Sequence, residues 1–136
     1  MPADRPRFAA IAARGRRLKT VGRIEALKEE SETQAARAEA VNIARRVLGG
    51  EVSILVAARE LVGLRFAASD ERDPDFLTFV AIDSETDHLP IGQEREYWAP
   101  DALAEKDVEI AKVEEWAREI GAAACKRLIE RFDCRS

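Results

Sequence analysis

The sequence predicts an all-α fold, a small antiparallel bundle of four or five helices. Three observations predict it. Apolar residues recur at spacings of three and four along most of the chain, the period of a helix face and not the alternation of a strand. Short breaker clusters, Gly49-Gly50, residues 69–74 and residues 90–100, separate the candidate helices and make neighbours antiparallel. At 136 residues, 46% hydrophobic and 35% charged, the chain can bury one core and not two. The same balance excludes disorder throughout. No apolar run approaches the roughly 20 residues of a membrane span.

Residues 1–30 read as a basic N-terminal arm or helix, and residues 31–136 as a single helical domain. In residues 7–30, Phe8, Ile11, Leu18, Val21, Ile24 and Leu27 keep roughly helical spacing. Gly15 and Gly22 weaken that helix by about 1 kcal/mol each, so fraying before Leu18 is expected. Residues 31–48 read as a second helix. Ser31 and Gln34 have capping-box spacing, and Ala36, Ala40, Ile43, Ala44, Val47 and Leu48 form its inner face. Gly49-Gly50 supplies a left-handed stop. Because Lys28-Glu29-Glu30 also favours helix, the two segments fused into one is an equal alternative.

Residues 51–68 are apolar on nearly all sides and predict the central helix, with the C-terminal helix as its main partner. Asp73 is a cap and Pro74 a first-turn residue for a short helix over 75–82. Residues 83–100 read as an irregular acidic loop, broken by Pro90, Gly92 and Pro100. A short turn at 101–106 then leads into a long last helix. Its stripe is Ile110, Val113, Ala117, Ile120, Ala124, Leu128 and Phe132. Ala117, Gly121 and Cys125 are small and four apart, which lets another helix come close. Trp116 reads as the edge of that core.

The termini and cysteines bound the compartment. Residues 1–20 are basic, without the apolar stretch and small-residue site of a secretory signal. Cys125 and Cys134 are nine residues apart. On one helix that separation puts them on opposite faces, about 13.5 Å apart along the axis, beyond disulfide reach. Two thiols that do not pair suit a reducing cytosol, and a cytoplasmic protein is expected.

The net charge of −4 conceals an asymmetry. Residues 1–23 carry seven Arg or Lys against one Asp, a balance of +6, and residues 70–119 carry sixteen acids against five bases, −11. The arm, through Arg14, Arg16, Arg17 and Lys19, is the candidate nucleic-acid contact. Phe8 is its one aromatic residue and no base-reading motif is present, so nucleic acid is the weaker reading. The acidic body is a candidate docking face for a basic protein partner, with Glu94, Glu96, Tyr97 and Trp98 as its contact residues. Pairing of the long helices across a homodimer stays open.

Residues 83–90 concentrate polar chemistry: Asp83, Ser84, Glu85, Thr86, Asp87 and His88. One reading is a metal. Asp83, Glu85, Asp87 and Glu94 fall at positions 1, 3, 5 and 12 of a calcium loop, but His88 stands where that loop needs Gly. A looser set of Asp83, Asp87 and His88 would suit a transition metal. A second reading is acid–base catalysis by His88 with Asp87 or Glu85. The third, which the residues favour, is a structural clasp. Ser84 and Asp87 have capping-box spacing. Arg59 and Arg65 sit on the most apolar helix and need acidic partners there.

The run Gly50-Glu51, Ala58-Arg59-Glu60-Leu61, Leu64-Arg65-Phe66, Phe76-Leu77, then 83–92, Trp98 and Pro100-Asp101 resembles a group of small bacterial helical proteins of unknown function. The resemblance spans about residues 47–120. It implies a bacterial, cytoplasmic, helical protein and no activity or cofactor. The sequence therefore leads to a non-enzymatic interaction protein of inhibitor, immunity or regulatory kind, with no cofactor. A metal-dependent or acid–base enzyme centred on residues 83–88 is the alternative, and nucleic-acid contact through the arm a third.

Overall fold

Four helices run up and down: α1 Arg5–Leu48, α2 Ile54–Ala68, α3 Pro74–Thr86 and α4 Pro100–Phe132, with a 3₁₀ turn at Gln93–Tyr97 between the last two. The structure is a computed structural model that describes the backbone of residues 5–133 and the side chains of residues 24–133. Cys134 and the side chains of Arg14, Arg16, Arg17 and Lys19 lie outside the described residues. Among those described there is no strand.

α1 is one helix, the fused alternative. Ser31 lies inside it, so the expected cap and break there do not occur. No Gly or Pro interrupts residues 23–48, and the charged run at 28–30 has high helix propensity. The stop is Gly50, at φ +77°, with its N–H on the carbonyl of Val47. Only the second part of α1 belongs to the bundle. Ala36, Ala40, Val41, Ile43 and Ala44 are buried, whereas every residue from 24 to 32 is exposed.

α2 begins at Ile54, three residues later than the sequence suggests. Glu51 and Val52 complete the turn out of α1, and Ser53 caps the helix, its Oγ accepting the N–H of Leu55 at 3.1 Å. Ile54, Leu55, Ala57, Ala58, Leu61 and Ala68 are buried. α2 is central, but it packs chiefly on α1 and α3, and α4 meets it least. The expected main partnership of α2 with α4 is thus replaced by a smaller one, which includes a close approach at Gly121. A Cβ on Gly121 would stand 2.7 Å from Cδ1 of Ile54. The small face of α4 admits that approach.

α3 starts as expected, with Asp73 as cap and Pro74 in the first turn. It then runs past Ile82 to Thr86. Thr86 is buried and its Oγ1 donates to the carbonyl of Ile82 at 2.7 Å. A polar residue thereby sits inside the helix with its hydroxyl satisfied. The irregular segment begins only at Asp87. α4 is continuous from Pro100, so the separate turn at 101–106 is its first turns. Phe76, Phe79, Ile54, Leu55, Leu61, Ile82 and Leu128 fill the core.

Candidate functional site

The polar segment is organised by Arg59, which α2 points at the end of α3. Its Nη1 donates to Oε2 of Glu94 at 2.6 Å. Its Nη2 donates to the carbonyls of Thr86 and Leu89 at 3.3 and 3.2 Å. Its Nε lies 3.8 Å from Oδ1 of Asp83. One guanidinium thus ties the central helix to the last turn of α3, to the connection and to the 3₁₀ turn. The hydrogen bond from Arg59 brings the Glu94 carboxyl down to about 2. The N–H of Ile91 adds a second contact to the same oxygen at 3.4 Å.

Arg95 anchors the segment on the other side. Its Nη1 donates to the carbonyl of Pro90 at 3.0 Å and to Oδ1 of Asp107 at 2.8 Å, and Nη2 reaches Oδ2 at 3.2 Å. That two-pronged pair holds the Asp107 carboxyl below its ordinary range. His88 is exposed, its Nε2 3.4 Å from Oε1 of Glu109 and its Nδ1 4.0 Å from Asp87.

This geometry corrects several expectations. Asp83 and Glu85 lie on α3, so the calcium-loop series cannot wrap an ion. Asp83 faces Arg59, while His88 faces Glu109. No group of three or more His, Cys, Asp or Glu among the described residues could hold a metal. A helix carries Asp83 and Glu85, which the calcium-loop spacing places in a loop. Ser84 and Asp87 do not form a capping box, since they sit at the C-terminal end of α3, where Asp87 is the cap in helical conformation. Ser84 and Glu85 are exposed. Arg65 gains no carboxylate among the described residues. Its guanidinium lies 4.2 Å over the Phe66 ring, and its Nε is buried without a partner. Of the four docking candidates, Glu94 is committed to Arg59 and Trp98 is half-buried. Glu96 and Tyr97 stand free, Tyr97 at 87% exposure.

The strongest charge network lies elsewhere. At the start of α3, Asp73 and Asp75 are buried, 5% and 3% exposed. Arg131 bridges them, with Nη2 2.6 Å from Oδ2 of Asp73 and Nη1 2.7 Å from Oδ2 of Asp75. Arg127 Nε meets the other oxygen of Asp75 at 2.5 Å, and Ser69 Oγ donates to Asp73 at 2.6 Å. The Arg131 hydrogen bond, aided by Ser69 and opposed by burial, holds the Asp73 carboxyl well below the carboxylate range. Sequence reading saw Asp73 as a cap and missed the rest. Arg127 and Arg131 are four apart, hence on one face of α4, and that spacing was the available signal.

Cys125 is buried in the core, and burial pushes its thiol up to about 12, which removes it as a nucleophile. Two open grooves flank the bundle. One of about 460 Å³ is lined by Val47, Val52, Ser53, Glu114 and Arg118, the other, of about 520 Å³, by Gln34, Arg37, Val41, Arg131 and Phe132. Neither includes a residue of the 83–100 segment.

The acids of α4 divide by face. Glu114 accepts from Ser53 at 2.9 Å, Asp107 holds Arg95, and Glu109 meets His88 and Lys106. Asp101, Glu105, Glu115 and Glu119 fall on the opposite, outer face with Lys112 and Val108. These four acids are exposed and make no ion pair among the described residues. No helix among the described residues is long and apolar enough to cross a membrane. Comparison with protein-family models, curated proteins and solved structures finds no match for the chain.

Proposed function

We propose that the protein is a non-enzymatic interaction module, of inhibitor, immunity or regulatory kind, which offers the outer face of α4 and the adjoining 3₁₀ turn to a basic protein partner. One observation carries this reading. On α4, Asp107, Glu109 and Glu114 are held by Arg95, His88, Lys106 and Ser53, whereas Asp101, Glu105, Glu115 and Glu119 share one exposed face and make no ion pair among the described residues. Val108, 60% exposed, interrupts that face, and Tyr97, 87% exposed, stands just before it. Unpaired acids accelerate and orient the approach of a basic surface. An exposed aromatic residue supplies the kind of anchor that dominates binding energy. The inner face of α4 is locked into the core, so its outer face is presented rigidly. The reading takes the compartment to be the cytosol, where a thiol such as that of Cys125 stays reduced.

The test compares the immobilised chain with two variants, Glu105→Lys with Glu115→Lys, and Tyr97→Ala. A basic protein retained from lysate by the parent is expected to be lost with each variant and kept with Glu94→Gln. Retention that neither variant alters ends the proposal.

A further inference from the structure

We propose that the open groove between α1 and the end of α4 binds a small organic monocarboxylate. Six arginines donate side-chain hydrogen bonds among the described residues, and five of them, Arg45, Arg59, Arg95, Arg127 and Arg131, meet a carboxylate. Arg37 is the exception. Its Nε donates to the carbonyl of Ala68 at 2.8 Å, and its guanidinium carbon lies 4.7 Å from the centre of the Phe132 ring. A neutral carbonyl and a ring thus hold the side chain, and its charge meets no acid among the described residues. An arginine gives up rotamer freedom when it binds an anion. Here two contacts made without the anion have already taken much of that freedom.

The groove fixes the chemistry of the ligand. Its volume of about 520 Å³ is that of a small-molecule site. Three charged side chains line it: Arg37, Arg131 and Asp133. Arg131 is bound to Asp73 and Asp75, and Asp133 to Arg45. One positive charge is left over, so a single negative charge balances the site. The Asp133 carboxylate opposes a dianion such as phosphate. A guanidinium receives a carboxylate through two parallel hydrogen bonds. The other walls are apolar: Val41, 6% exposed, with Ala38 and the Phe132 ring. They favour hydrocarbon behind the carboxylate. The groove shares no residue with the outer face of α4, so binding here is independent of a partner docked there.

Titration of the isotope-labelled full chain, followed by amide NMR shifts, tests this with hexanoate, hexanamide and inorganic phosphate. Hexanoate should shift Ala38, Val41 and Phe132 with a Kd of about 1 mM, ordinary for so small a ligand in an open groove. Hexanamide has the same body without the charge. It should bind about tenfold more weakly, since charge-assisted hydrogen bonds are the stronger ones. Phosphate should leave these residues unmoved. Arg37→Gln should bring hexanoate down to the level of hexanamide. Ala38 is exposed, so Ala38→Glu leaves the fold intact and puts an acid in the groove. It should weaken hexanoate by about tenfold through like-charge repulsion. Glu105→Lys with Glu115→Lys should leave hexanoate binding unchanged. Absence of a saturable shift by about 20 mM hexanoate overturns the inference. So does hexanamide or phosphate binding as tightly as hexanoate, and so does hexanoate binding that survives either groove substitution.

Discussion

The two ends of α3 both pair acids with arginine, but at different depths. At the N-terminal end the acids are inside, with the side chains of Asp73 and Asp75 2% and 5% exposed, and their arginines lie outside, Arg131 at 39% and Arg127 at 50%. At the C-terminal end no member is buried, and arginine and acids stand at similar depth. The Arg59 side chain is 29% exposed, while Asp83 and Glu94 stand at 30% and 42%. The difference decides what a broken pair strands. A stranded arginine at the first end returns to water. A stranded carboxylate there stays in the core, where an unpaired charge is expensive. At the second end either acid can be hydrated.

Asp73→Ala attacks the first arrangement where it is strongest and has the largest expected effect. It removes the cap of α3, worth about 1 kcal/mol, and unbalances Arg131 and Asp75. Loss of a partner in a buried pair costs about 3–5 kcal/mol. Since Arg131 can be rehydrated, the total should fall near 3 kcal/mol, read from urea unfolding. A loss under about 1 kcal/mol would put the two ends on an equal footing and break the comparison.

Acid sharpens the same contrast. Asp73 titrates lower in the folded chain than its ordinary 3.8, and Glu94 falls from 4.5 to about 2. A depressed carboxylate contributes stability that is present above its unfolded value and is lost as pH falls through the folded one. Stability should therefore drop below about pH 4.5. The drop should flatten more in Asp73→Asn than in Glu94→Gln, because Glu94 is half in water and its pair is screened. Equal flattening in a pH series of urea midpoints would show that burial does not separate the two knots.

How much of this was legible in the sequence depends on whether one segment contained the signal. The α4 stripe was readable because its spacing of three and four lies within a single helix. Asp73-Pro74 was readable because a cap and a first-turn proline are neighbours. The pairing of Asp73 and Asp75 with Arg127 and Arg131 spans more than fifty residues, and nothing local links them. The end of α3 misled for a different reason. Asp83, Ser84 and Glu85 look like loop residues, yet on a helix three of every four consecutive positions can face water. Thr86 is buried with its hydroxyl bonded to the preceding turn, so polarity did not mark the helix end. The need of Arg59 for acidic neighbours followed from its place on an apolar helix. That Glu94 takes the shortest bond, and not Asp87, follows from the 3₁₀ turn, which no residue pattern announced.

Arg59→Ala tests the second arrangement and should have a smaller effect. It frees two surface carboxylates, which are easily hydrated. It also strips a donor from the carbonyl of Leu89 and one of two from that of Thr86, which keeps the N–H of Leu89, both in buried residues. Unsatisfied groups of that kind cost about 1–3 kcal/mol, and partial hydration at this edge sets the expectation near 1.5 kcal/mol. The change should also loosen the connection, seen as faster amide hydrogen exchange at Ile91 and Arg95 with the α2 core unchanged. Exchange that accelerates equally in α2 would mean that Arg59 supports the core and is more than a tie for the connection.

Arg65 completes the comparison as an arginine on the same helix with no ion pair among the described residues. Its Nε is buried without a partner and its guanidinium rests on the exposed ring of Phe66. The contact with the ring is worth about 0.5–1 kcal/mol at such a site. The orphaned donor opposes it with a penalty of about 1–3 kcal/mol. Arg65→Met keeps most of the aliphatic stem and removes the orphan. It should leave stability unchanged or raise it by up to about 1 kcal/mol, the reverse in sign of Arg59→Ala. Arg65→Lys should not share that gain, because the charge would remain on an apolar helix. If Arg65→Met instead destabilised the chain as much as Arg59→Ala does, the rule drawn from the ends of α3 would fail at its simplest point. An arginine would then be stabilising without any carboxylate to receive it.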